Sequence, residues 1–304
     1  MRVVWTLATA YSLFCWMSFF HETIHQTLCR DRKTNIILGR IVGTVVLTPY
    51  TVYRESHIRH HAYLNTPDDW ELWPYSDPAA SRLFRLVFAW CDLLCGFITA
   101  PYIYGRIFFQ KDSPITSPAL RTAIRQEYLL SGLFWGGTLA LVAWFHAWQM
   151  FCLAWLVPHA LAGILQTGRK FTEHLGMTSF DPLLGTRTVI GESGWTRFCT
   201  QVNFDLFVHG PHHRHPRLPH TALENKMHDY VAKNPGTHYP VFPTYRQAVR
   251  AMLPALFSNP GVGVNVGGVL PQHAAPEPVE GFVSDVCERR RRSPQAMVAT
   301  TESP

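Results

Sequence analysis

From Tyr128 to Gln166 the chain carries no Asp, Glu, Lys or Arg, and its only histidines there are His146 and His159. A stretch that long suffices for two helices, each covering a hydrocarbon layer of about 30 Å, with a turn between them. Trp144, His146 and Trp148 mark that turn, because Trp collects at membrane–water interfaces. The sequence therefore reads as a tight hairpin with arms at 128–146 and 149–167. A buried hairpin in a soluble protein is the alternative, disfavoured because both arms are apolar nearly all round. A third span is expected over residues 1–20, which hold one charged side chain, Arg2. A cleaved signal peptide fits less well, since the segment runs straight into His21 with no small-residue cleavage site.

Composition agrees with a membrane protein: 16% of the 304 residues are charged, against about 25% in soluble domains. Two weaker apolar stretches, 35–53 and 84–104, are interrupted by Arg40, Pro49, Asp92 and Pro101, and read as interfacial or half-buried helices. The expected fold is an all-α, multi-pass helical bundle over residues 1–258. Lys and Arg concentrate between the first span and the hairpin, and again after it, which puts both stretches on the cytoplasmic side. Three crossings then leave the N-terminus outside, and an additional helix upstream is expected. The net charge of +6 suits anionic lipid headgroups; no nucleic-acid-reading motif accompanies it. Seven cysteines without a C-x-x-C pair read as reduced and unpaired. Residues 271–304, rich in Pro, Ala, Glu and Ser, lack apolar periodicity and are expected to be disordered.

Against this background nine histidines stand in four groups: His21 and His25; His57, His60 and His61; His174; and His209, His212 and His213. Residues three or four apart share a helix face, so H-x-x-x-H and H-x-x-H-H each aim imidazoles at a common point. Neutral imidazole ligates iron, zinc and copper, and nine rings exceed what one ion takes. Two ions follow if the groups converge. His21-Glu22-Thr23-Ile24-His25 also spells the zinc-peptidase signature H-E-x-x-H, and an intramembrane zinc protease is the alternative from another class. Such a peptidase has no use for two further H-x-x-H-H groups.

The second group runs on into Ala62-Tyr63-Leu64-Asn65-Thr66-Pro67-Asp68-Asp69-Trp70-Glu71, and the third, His209-Gly210-Pro211-His212-His213, is followed by Pro219-His220. Here the sequence resembles the membrane fatty acid desaturase and hydroxylase superfamily, whose three histidine boxes share this order and spacing, over roughly residues 15–225. The resemblance implies two non-haem irons at the cytosolic membrane surface, held by all nine histidines, with His174 of Phe171-Thr172-Glu173-His174 as the ligand that precedes the third box. It implies O2 as co-substrate and a lipid chain as substrate: a fatty acyl desaturase first, a carotenoid or alkyl hydroxylase or ketolase second. It also implies an external electron donor of ferredoxin, rubredoxin or cytochrome type, because the chain has no haem, flavin or iron–sulfur motif. Glu22, Asp69, Glu173 and Asp205 are candidates to hold ligating rings from behind. Pro211 is expected to break the third box, so that His209 comes from a turn and His212 and His213 from a new helix start; His215 and His220 are possible substitutes. Gly39 and Gly43 form G-x-x-x-G, a signal for close helix contact.

Overall fold

The structure, a computed structural model, describes residues 2–270; the tail expected to be disordered, Cys287 included, lies outside these residues. Eleven helices and one pair of two-residue strands make up the described part. They run α1 (Arg2–His25), α2 (Arg32–Val45), α3 (Tyr50–Ala62), α4 (Arg82–Phe109), α5 (Pro118–Trp144), α6 (Trp148–Phe151), α7 (Val157–His174), β1 (Thr188–Val189), α8 (Gly194–Gln201), α9 (His209–Arg214), α10 (Leu223–Lys233), β2 (Val241–Phe242) and α11 (Tyr245–Ser258). One π-helical turn, Cys152–Leu156, joins α6 to α7.

Side-chain chemistry sets where these helices begin. Asp31 accepts the Thr34 amide at 2.7 Å and caps α2, and Ser81 caps α4 through the Phe84 amide at 3.2 Å. These caps satisfy donors that a first helical turn leaves without partners. Pro118 opens α5, where its missing N–H costs nothing.

Three helical segments are long and apolar enough to cross a membrane: Arg2–His25, Arg82–Phe109 and Trp148–His174. The pair α2 and α3, bent by 104°, meets the same test jointly, as a broken span or a re-entrant loop. The stretch 84–104 thus departs from its expectation. Asp92 and Pro101 fall in two helical pieces joined across a kink at Cys95, which together run from Arg82 to Phe109. Asp92 is fully buried and accepts from Lys170 Nζ at 2.6 Å and Tyr75 OH at 3.0 Å, which is how a charge survives in an apolar span. At Cys95 the backbone leaves helical geometry (φ −124°, ψ 31°), and the two pieces of α4 meet there in a kink. Helix α5 has 27 residues but is less apolar than these three, diluted by Ser131, Gly132, Gly136, Gly137 and Thr138.

Helix α7 packs along both α1 and α4. Close approach to α4 depends on Gly96 and Gly163: a Cβ on Gly96 would sit 2.7 Å from the Gly163 carbonyl oxygen. The G-x-x-x-G pair works the same way, since a Cβ on Gly39 would meet the Tyr50 ring at 2.5 Å or less and one on Gly43 the Thr48 carbonyl at 2.5 Å. Phe20, Ile24, Val42, Val46, Tyr50, Tyr53 and Ile58 then fill the space between α1, α2 and α3. Elements after α7 form a cap in which β1 pairs in parallel with β2, Thr188 opposite Val241. The six cysteines in the described residues are free.

Candidate metal centre

Four pieces of backbone end at one place. His21 and His25 occupy the last turn and a half of α1, His57, His60 and His61 the C-terminal half of α3, His174 the last position of α7, and His209, His212 and His213 the short helix α9. None of the nine is more than 4% exposed. Their ring nitrogens divide into two groups. His21, His25, His57, His61 and His212 form the first, all ligand atoms within 4.8 Å of one another. His60, His174 and His213 cluster within the same limit, as do Glu173, His174 and His209. Because His209 Nε2 lies 2.9 Å from His174 Nε2 and 3.1 Å from His213 Nε2, these make a second centre of four histidines and one carboxylate. His61 stacks on His213 with centroids 4.1 Å apart, so the two centres touch.

Helix geometry explains the division. The i,i+4 pairs His21/His25 and His57/His61 face the first centre, and the pair His209/His213 faces the second. The odd histidine of each H-x-x-H-H group crosses over, His60 to the second centre and His212 to the first.

Short contacts between ring nitrogens test whether metal fits here. His57 Nε2 lies 2.9 Å from His21 Nε2, 3.1 Å from His25 Nε2 and 3.1 Å from His61 Nε2. Ligand nitrogens about 2.1 Å from one ion and a right angle apart would be separated by about 3 Å, so the spacing is that of a shared coordination shell. Tautomers agree. His57 Nδ1 donates toward Glu71 Oε2 at 3.1 Å, His60 Nδ1 toward Asp69 Oδ2 at 2.8 Å, and His209 Nδ1 toward the Leu206 carbonyl at 3.2 Å. A proton on Nδ1 leaves a lone pair on Nε2. Lone pairs aimed at one another repel unless a cation lies between them, and buried His212 Nε2 has no hydrogen-bond partner among the described residues. The nine residues fit a pair of first-row metal ions.

Electrostatics keep the rings of α9 in the ligating form. Burial first, and then neighbouring imidazoles, hold His209, His212 and His213 well below the usual imidazole range. Burial works against ionising Glu71, but His57 and the Tyr104 hydroxyl at 3.2 Å outweigh it, leaving its carboxyl below the usual range.

The four carboxylates expected behind the ligands take different places. Asp69, fully buried, supports His60. Glu22 lies 3.4 Å from His21 Nδ1 and accepts from the Thr27 hydroxyl at 2.5 Å. Glu173 stands beside the rings, 3.6 Å from His209 Nε2, among the atoms that could touch an ion. Asp205 touches none of the nine: its Oδ2 is 2.7 Å from His220 Nδ1. Sequence reading passed over Glu71, although it sits two residues beyond Asp69 in the same acidic run. Pro211 does not split the third box. It occupies the third position of α9, where no helical N–H bond is made, so one helix carries all three histidines. His215 pairs with the Tyr230 hydroxyl at 2.7 Å, outside both centres.

A cavity opens onto the histidines. His21, His57, His60, His174 and His209 line one end, and Leu13, Met17, Val46, Ile103 and Ala162 are among its apolar walls.

Comparison with known proteins agrees with this geometry. The family described as "Fatty acid desaturase" matches residues 1–246. The chain is similar to a fatty acid desaturase of Bacillus subtilis (strain 168), 24% identical over 219 residues, which are 67% of this chain and 61% of the relative. It is similar to the sn-1 acyl-lipid omega-3 desaturase (ferredoxin) of Synechocystis, 23% identical over 223 residues, 67% of this chain and 60% of the relative. An endoplasmic-reticulum omega-3 fatty acid desaturase of Vigna radiata is 24% identical over 229 residues, 67% of this chain and 57% of the relative. The chain thus spans about three fifths of the length of the curated relatives it matches.

Proposed function

Because the chain belongs to the fatty acid desaturase family, we propose that it is an O2-dependent di-iron oxidase that introduces a C=C bond into a fatty acyl chain. The observation that carries this reading is the division of nine buried histidines into two touching groups with ligand-like spacing, beside a mainly apolar cavity. His21, His25, His57, His61 and His212 hold one iron; His60, His174, His209 and His213, with Glu173, hold the other. Iron, when bound, supplies the oxidising power that removal of hydrogen from an unactivated C–H bond requires, drawing on dioxygen and two external electrons.

The chain's own residues do the rest. Glu71 and Asp69 fix the tautomer and aim of His57 and His60. The cavity walls keep the acyl chain extended beside the rings and exclude water. In the overall balance two hydrogens from adjacent carbons, two electrons and two protons pass to O2, which leaves as two waters. Electrons come from a separate carrier, and the Synechocystis relative's name pairs that protein with ferredoxin. Exposed Arg30, Arg32 and Lys33 follow directly on the histidine end of α1 and suit an acidic carrier. The positive-inside pattern supports a cytoplasmic location for this end.

Mass spectrometry of products from a host expressing the chain tests the proposal. Loss of two hydrogens from an acyl chain supports desaturation; gain of one oxygen would identify a hydroxylase instead. A single zinc, with activity that survives His212→Ala and is abolished by Glu22→Gln, would identify a peptidase.

A further inference from the structure

The cavity that begins at the histidines is not apolar throughout. Along α7 it is lined in turn by His174, Lys170, Gln166 and His159. At 1.5 Å per residue, His159 lies about 22 Å from His174 along the helix axis, near the middle of the apolar Trp148–His174 segment. Lys170 is satisfied there by Asp92. His159 and Gln166 are not: neither His159 Nδ1 nor Gln166 Oε1 has a hydrogen-bond partner among the described residues, and His159 is only 6% exposed. An unmet polar group at such depth is expensive, and an ionisable residue inside a span marks function before structure.

The surroundings hold His159 in place. Its ring stacks on Trp155 with centroids 4.5 Å apart and planes 12° apart, and meets the Phe97 ring edge-on at 6.1 Å. Trp155 belongs to the π-helical turn Cys152–Leu156 and stacks in its own turn on Phe151 at 5.6 Å. Such turns frequently occur at functional sites. Val46 and Thr48, from the elbow between α2 and α3, also line the cavity.

We propose that the deep half of the cavity is a polar subsite, built from His159 and Gln166, that hydrogen-bonds a hydroxyl carried on the distal part of the substrate chain. Gln166 Oε1 only accepts, so its partner is a donor; His159 Nδ1 donates or accepts according to tautomer. A hydroxyl satisfies either one, whereas a methylene satisfies neither. The two residues sit two helical turns apart, about 10 Å, so the position of the hydroxyl along the chain decides which of them it meets. The substrate class is a hydroxylated long-chain acyl group. This rests on the reading of the cavity as the acyl site.

The test is binding to the purified full chain, by calorimetry, of three eighteen-carbon probes: the unsubstituted saturated acid, a mid-chain hydroxy acid and the terminal hydroxy acid. At least one hydroxylated probe is expected to bind about fivefold or more tightly than the unsubstituted acid, the worth of one buried hydrogen bond. For a probe that binds more tightly, one of His159→Phe and Gln166→Leu, the substitution at the residue its hydroxyl meets, is expected to erase that preference. His159→Phe keeps the stack on Trp155 and removes the unmet nitrogen, so the ligand-free variant should melt at or above the wild-type temperature. Equal binding of all three probes, a preference that survives both substitutions, or a lower melting temperature for His159→Phe overturns the subsite alone. Failure of every probe to bind would remove the acyl-site reading and the subsite with it.

Discussion

Asp69→Asn should weaken one metal centre and spare the other. Asp69 is fully buried, and its Oδ2 accepts both His60 Nδ1 at 2.8 Å and the Asn65 amide at 3.3 Å, while Oδ1 accepts the Leu72 amide at 3.3 Å. An asparagine of the same shape must turn its NH2 group toward donors on one side or the other. Either way the His60 ring loses its charged acceptor, facing an NH2 group or a neutral carbonyl in its place. A hydrogen bond to a charged group is worth about 1.5–3 kcal/mol, which converts to about tenfold to a hundredfold in metal affinity, the range found for residues that support metal-bound histidines. His60 belongs to the group with His174 and His213, whereas the first centre draws on His57 and His61 from the same helix. Chelator titration of the iron-loaded protein, followed by metal content per chain, reads the effect. One of two ions should leave at about tenfold to a hundredfold lower chelator concentration than in the parent. Unchanged retention of both ions, or equal loss of both, would refute the division into two centres with Asp69 behind one.

His57→Ala removes the ring that contacts three other ring nitrogens at 2.9–3.1 Å. It should abolish turnover and one iron while the detergent-purified protein stays folded; full turnover would mean His57 is no ligand. Metal-stripped protein should lose stability in acid. His209, His212 and His213 hold their folded pKa well below the usual imidazole range through burial, so below about pH 6.5 the unfolded chain binds more protons. Its thermal midpoint should therefore fall as pH drops below that value and level off above it; a midpoint that rises with acid would contradict the burial assignment. Gly96→Ala places a Cβ 2.7 Å from the Gly163 carbonyl oxygen and 2.3 Å from Thr167 Oγ1. The backbone oxygen has nowhere to go, so the α4–α7 contact should lose about 1–3 kcal/mol, measured as a lower thermal midpoint of the loaded protein.

The histidine groups were legible because helical spacing is local: i,i+4 fixes which rings share a face whatever surrounds them. How nine rings divide between two centres was not legible, since it depends on how α1, α3, α7 and α9 are rotated about their own axes. Once the helices are placed, the crossing over of His60 and His212 follows from their odd position in each group. In α4 the sequence showed Asp92 as an interruption but not its partner, because Lys170 lies seventy-eight positions away; the break itself falls at Cys95. Pro211 misled in the opposite sense: a proline breaks a helix interior but fits its first turn, and only the structure shows that α9 begins at His209. Glu71 and the pairing of Asp205 with His220 were hidden for one reason. Loops bring a carboxylate to a ring by paths that no period in the sequence records.

Metal content of the purified chain tests the central claim most directly. Elemental analysis after expression with iron should return two irons per chain, and one in His57→Ala. A single zinc, or no bound iron in correctly folded protein, would contradict a shared di-iron centre built from all nine histidines.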